Sequence, residues 1–149
     1  MKLTFQLLDT VTAAPLLAAL HEQCFDKAWT EKAFTDLLAL PSTAAEIIMD
    51  GEIPIGFCLY QISFDEAEIL TIGIIPSARG LSAGSVLLAH GFTYLADRGV
   101  KRLLLEVAAT NPPAIKLYLK CGFSEIGCRK AYYREESGLV DALMFEKFL

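Results

Sequence analysis

The sequence has no basic run, no metal-ligand cluster and no long apolar stretch. Thirteen Lys and Arg stand against 18 Asp and Glu in 149 residues, for a net charge of −5. With the Lys and Arg scattered, direct binding of nucleic acid through a basic face is not expected. There are only two histidines, His21 and His90, and none of the four cysteines (Cys24, Cys58, Cys121, Cys128) forms a C-x-x-C pair. These spacings argue against a zinc site, so no metal is expected, and in a reducing compartment such cysteines behave as small buried apolar residues. No apolar run reaches the roughly 18–20 residues of a membrane span. The opening MKLTFQLLDT has an early aspartate and no long apolar core, which makes a poor signal peptide. The expectation is a cytoplasmic protein that does not associate with a membrane.

Hydrophobic residues make up 54% of the chain and charged ones 21%, which suits one globular domain over 1–149 with a sizeable core. No repeat or linker interrupts it. Lys2–Leu8 reads as a strand. Thr12 and Thr30 read as N-caps of two helices, the first carrying Leu16, Leu17, Leu20 and Cys24 on one side, the second Phe34, Leu37 and Leu38. Strands are expected over 45–49 and 55–62, joined by a turn at Asp50-Gly51, and over 68–75, ended by Pro76. A helix over 83–98 closes at Gly99, a strand runs over 101–108, and a helix over 112–120 closes at Gly122. Two short strands finish the chain near 123–129 and 141–148. The order β α α β β β α β α β β is that of a mixed α/β (α+β) domain.

Two segments carry chemistry. After the strand ending at Ile75 comes Pro76-Ser77-Ala78-Arg79-Gly80-Leu81-Ser82-Ala83-Gly84-Ser85 and then a helical pattern. A small-residue turn opening a helix presents unpaired backbone N–H groups at the positive end of the helix dipole, a ready anion site. It lacks the spacing of the dinucleotide fingerprint and of the Walker loop. The bare pattern fits a pyrophosphate site or a tight β–α turn equally well. The second segment, Leu103–Phe123, reads LLLEVAATNPPAIKLYLKCGF. Its apolar run suggests a strand covered on both faces, where Glu106 is costly unless paired, hydrated or used. Tyr118 follows on the next element, and an acid with a phenol makes a pair able to move protons. A solvated strand end and a packing tyrosine are the plainer alternatives.

Together these segments resemble the GNAT superfamily of acetyl-CoA-dependent N-acetyltransferases. The family's loop, Gln/Arg-x-x-Gly-x-Gly/Ala, is matched by Arg79-Gly80-Leu81-Ser82-Ala83-Gly84, with Ser82 where a glycine is expected. Within the superfamily the chain is most similar to the RimI-type ribosomal-protein-alanine N-acetyltransferases. The match runs through Cys24-Phe25, Ala28-Trp29-Thr30, Glu66–Ile74, Leu105-Glu106-Val107 to Asn111, Ala114–Tyr118, Gly122-Phe123, Arg129–Tyr133 and Asp141–Met144. Ala108 stands where that family often has arginine, and Val140 where it often has glutamate.

The resemblance implies a GNAT fold, with a mixed central sheet flanked by helices, and acetyl-CoA as cosubstrate. Glu106 corresponds to the general base and Tyr118 to the general acid. The Ile72-Gly73-Ile74 backbone corresponds to the strand that pairs with the pantetheine arm. Arg79, Gly80, Leu81, Ser82, Ala83, Gly84 and Ser85 correspond to the pyrophosphate loop, and Asn111 to a further cofactor contact. The implied acceptor is a protein N-terminal amine. A lysine side chain or a small amine remains open, as does an acyl-CoA-binding module without turnover. Trp29, Tyr132 and Tyr133 are candidates for the peptide groove, with core or surface packing as the alternative.

Overall fold

The computed structural model describes residues 2–149. The described residues form seven strands and four helices. They are β1 (Leu3–Leu8), α1 (Ala14–Cys24), α2 (Glu31–Leu38), β2 (Thr43–Asp50), β3 (Ile53–Ser63), β4 (Glu66–Ile74), α3 (Ala83–Asp97), β5 (Arg102–Ala108), α4 (Pro112–Lys120), β6 (Ser124–Glu135) and β7 (Gly138–Phe148). This is the expected order. One sheet takes the order β1-β2-β3-β4-β5-β7-β6, with only β4 and β5 parallel among the neighbouring pairs. No helix among the described residues is long and apolar enough to cross a membrane.

Local chemistry sets most element ends. The Thr30 hydroxyl accepts from the Ala33 N–H at 3.1 Å and caps α2, as its sequence position predicts. Thr12 does not cap α1. It lies inside a 3₁₀ turn over Val11–Ala13, and its hydroxyl meets that of Thr10 at 2.6 Å. Pro15, in the first turn of α1, starts that helix instead, since its missing N–H is an orphan there anyway. The last two strands are not short. Their register runs from Ser124↔Glu146 to Glu135↔Gly138, a long hairpin with an interruption at 130–132, where Ala131 takes φ 52°. That bulge hides the strand pattern in the sequence.

The helices bury Leu17, Leu20, Phe34, Leu87, Leu88 and Leu95 against Ile47, Phe57, Leu59, Leu103 and Leu105 of the sheet. A polar knot lies in this core. Glu46 is fully buried on β2, bonded by His90 Nδ1 from α3 and by the Tyr60 hydroxyl at 3.4 Å. Burial raises the Glu46 pKa, and the His90 imidazole opposes that rise. His21 is buried on α1 and accepts the Trp29 N–H at Nδ1 (3.0 Å), which leaves its Nε2–H for Thr71 Oγ1 at 3.1 Å. Burial lowers its pKa to about 4, so it stays neutral near pH 7 and ties the α1–α2 loop to β4. Both histidines are thus held by hydrogen bonds within the fold.

Candidate active site

The sheet parts where β4 and β5 meet. Their parallel pairing covers only Glu66↔Arg102, Ala67↔Leu103 and Glu68↔Leu104, and then stops. On the other edge of β4 the register with β3 slips between Leu59↔Thr71 and Tyr60↔Ile69, leaving Leu70 as the extra residue. A bulge sharpens the twist of its strand, which turns the far half of β4 away from β5. Beyond Glu68, the edge of β4 that faces β5 has no strand partner, so its backbone donors and acceptors are open to an extended ligand.

A cleft of about 1000 Å³ fills the gap. Ile72 of β4, Glu106 of β5, Asn111 and Tyr118 all line it. Asp26 and Lys27 reach it from the α1–α2 loop, and Tyr133, Arg134 and Glu135 from the β6–β7 hairpin.

β5 alternates in burial rather than being covered on both faces. Leu103, Leu105 and Val107 are buried, whereas Leu104, Glu106 and Ala108 are half-exposed. The expectation of a two-sided apolar strand failed because Leu104 borders a second hollow and Ala108 lines the cleft, so neither is covered. Leu105 pairs with Phe145, and Tyr118 packs on Phe145 and Phe123, so Tyr118 approaches from the helix-covered face. Glu106 pairs with Met144 and points to the opposite face, where the Arg129 guanidinium lies 3.3 Å from its carboxylate. The acid and the phenol therefore enter one cleft from opposite faces of the sheet.

Tyr118 is 6% exposed, and burial raises its pKa, so the phenol keeps its proton near pH 7. Among the described residues, no protein group hydrogen-bonds its hydroxyl. Asn111 caps α4 through Oδ1, which accepts from the Ala114 N–H at 3.4 Å. Asn111 thus sets the start of the helix that carries Tyr118.

The Arg79–Ser85 loop joins β4 to the start of α3. Arg79 Nε donates to the Ile74 carbonyl at 2.9 Å and fixes the turn. The α3 N-terminus has no side-chain cap, so its first-turn N–H groups are open to an anion. Ser82 is the N-cap residue, in the left-handed region at φ 64°. This is the position where the family pattern has glycine, and the backbone shows why: a Cβ is strained there. Ser82→Gly is expected to stabilise the chain by about 0.5–1 kcal/mol, read as a rise in Tm. A fall in Tm would mean that the serine side chain, not backbone relief, governs the loop.

A model of the acetyltransferase (GNAT) family matches residues 14–123. The chain belongs to the GNAT family. It is thus an N-acetyltransferase, and the fold agrees. The crystal structure of the ribosomal-protein-S18-alanine N-acetyltransferase from Escherichia coli superposes with a TM-score of 0.91 at 29% identity, over 99% of this chain and 94% of that one. By sequence the chain is 31% identical to the Escherichia coli K12 ribosomal protein bS18-alanine N-acetyltransferase over 141 residues, covering 95% of this chain and 94% of that relative. The mycothiol acetyltransferase of Cellulomonas flavigena is 32% identical over 114 residues, 76% of this chain and 32% of that longer one. Arabidopsis thaliana NAA60 with acetyl-CoA shares the fold at a TM-score of 0.83 and 20% identity, covering 99% of both chains.

Of the groove candidates, Tyr133 lines the cleft. Tyr132 is exposed with Arg129 over its ring, and Trp29 packs on His21 and Phe34. Sequence reasoning missed Arg129 as the partner of Glu106, since helix α4 lies between them in the chain and only the strand order brings them together. It also missed Glu68, whose carboxyl pKa is raised by burial and then by the Glu106 charge.

Proposed function

We propose that the protein transfers the acetyl group of acetyl-CoA to the N-terminal α-amine of a protein, foremost an N-terminal alanine of a ribosomal protein. The observation that carries this reading is the approach of Glu106 and Tyr118 to one cleft from opposite faces of the sheet. Attack on a thioester needs a base on the amine side and an acid on the sulfur side. An α-amine has a pKa of about 7.7–8.0, so a carboxylate acting directly or through water is sufficient to deprotonate it.

In this reading the first-turn N–H groups of α3, with Arg79–Ser85, receive the pyrophosphate. The open edge of β4 at Ile72–Ile74 pairs with the pantetheine arm, and a backbone N–H there polarises the thioester carbonyl. The Asn111 amide contributes a cofactor contact beside its capping role. The amine nitrogen bonds to the carbonyl carbon, the C–S bond breaks, and Tyr118 gives its proton to the leaving sulfur. No covalent enzyme intermediate is required.

The similarity to a mycothiol acetyltransferase, with Ala108 in the cleft, supports a small amine as the second reading. Thiol release from acetyl-CoA separates the two. Release is expected with a peptide that begins with free alanine, and none with the same peptide blocked at its α-amine. Release with small amines and with no N-terminal peptide would favour the second reading.

A further inference from the structure

One face of the sheet carries a second carboxylate that the mechanism above does not use. Parallel partners face the same way, so Glu66 with Arg102, and Glu68 with Leu104, share a face with Glu106, two residues beyond Leu104. Glu146 joins them as the partner of Leu104 on β7, and Arg129 as the partner of Ala142, which pairs with Ala108. The cations on this face are committed. Arg102 holds Glu146 at 2.6 Å and Glu66 at 3.3 Å, and Arg129 holds Glu106 at 3.3 Å. Glu68 has no ion pair among the described residues, and Glu135, on the same face near the hairpin turn, is held by the Thr110 hydroxyl at 2.9 Å. Glu68 sits where the strands part, diagonal to Glu106, and lines a second hollow with Ser42, Gln61 and Glu66. Glu106 lines the main cleft.

Acetylation of an ammonium group makes this position useful. The amine, as R–NH3+, loses two protons when its N–C bond forms and the C–S bond breaks. One of the two restores the phenol of Tyr118, whose own proton ends on sulfur. The other is taken by Glu106 and must reach solvent before the next turnover. We propose that Glu68 is the positioning residue that receives the proton from Glu106, through water, and releases it to solvent on the far side of the strand junction. This rests on the direct-attack reading above.

The surroundings fit a proton acceptor. Arg129 lowers the Glu68 pKa less than burial and the Glu106 charge raise it. Tyr133, the other titratable group facing both carboxylates from β6, is itself pushed up by burial, by Glu106 and by Glu68, and stays protonated near pH 7. Glu66, Arg102 and Glu146 are bound to one another.

Two measurements test the inference. In the first, Glu68→Gln is expected to lower kcat at least about tenfold in dilute buffer, short of the 10²–10⁴ of a directly acting base. Concentrated small buffers should restore most of that loss, with the KM for acetyl-CoA unchanged. Full activity in dilute buffer, or a loss equal at every buffer concentration, overturns the proposal. In the second, carboxyl NMR on the free enzyme is expected to show the Glu68 titration midpoint falling in Glu106→Gln, because the Glu106 charge raises it. An unmoved midpoint overturns the proposal as well. The NMR arm needs no acceptor, and the kinetic arm uses whichever amine the wild type acetylates. A wrong acceptor assignment would therefore leave both arms readable.

Discussion

Glu106→Gln lowers kcat by about 10²–10⁴ and leaves acetyl-CoA affinity within about twofold. Glutamine keeps the shape and loses the basicity. The substitution also removes the partner of Arg129, but that guanidinium is 48% exposed, and such a pair is worth about 1 kcal/mol or less. The fold therefore survives, which thermal denaturation confirms by a Tm close to wild type. Steady-state kinetics with saturating acceptor, together with calorimetric titration of acetyl-CoA, read both halves of the expectation. Unchanged kcat would remove Glu106 from the role of base. Equal losses of turnover and cofactor affinity would make it a binding residue.

Tyr118→Phe is the second large effect, expected to cut kcat about 10²-fold or more with acetyl-CoA binding and stability unaltered. Phenylalanine preserves the packing on Phe123 and Phe145. The hydroxyl it removes has no protein partner among the described residues, so no buried group is orphaned. Only the proton is lost. A poor leaving group gains most from protonation as it departs, so the donor matters most for the thiol of highest pKa. A thioester with a more acidic thiol is therefore expected to react with Tyr118→Phe and wild type at more similar rates. An equal penalty for both thioesters would indicate that the hydroxyl orients the cofactor instead.

The chemistry of this site was more legible than its geometry. Glu106, Tyr118 and the Arg79–Ser85 loop stand in contiguous motifs, so sequence pattern singles them out as candidates, and Glu106 and Tyr118 line one cleft. The alternation of burial along β5 was hidden, because Leu104 and Ala108 are apolar yet only half-buried. The parting of β4 from β5 goes with a bulge at Leu70, and nothing in residue type marks that position. The length of the last hairpin was masked by its charges and by the left-handed Ala131. The Glu106–Arg129 pair and the Glu68 position follow from strand order, which local pattern does not supply.

Ser82 shows how a departure from a motif takes on meaning once φ is known. Its backbone has the left-handed geometry that the family meets with glycine, so the loop shape survives at a small cost in strain.

Acetyl transfer to an α-amine in this cleft is tested most directly on one peptide that begins with free alanine and also carries an internal lysine. After reaction with acetyl-CoA, tandem mass spectrometry locates the acetyl group. The expected result is a single acetyl group on the N-terminal nitrogen, formed by wild type and strongly reduced in Glu106→Gln. Acetylation of the lysine alone, or equal N-terminal acetylation by wild type and Glu106→Gln, would contradict it.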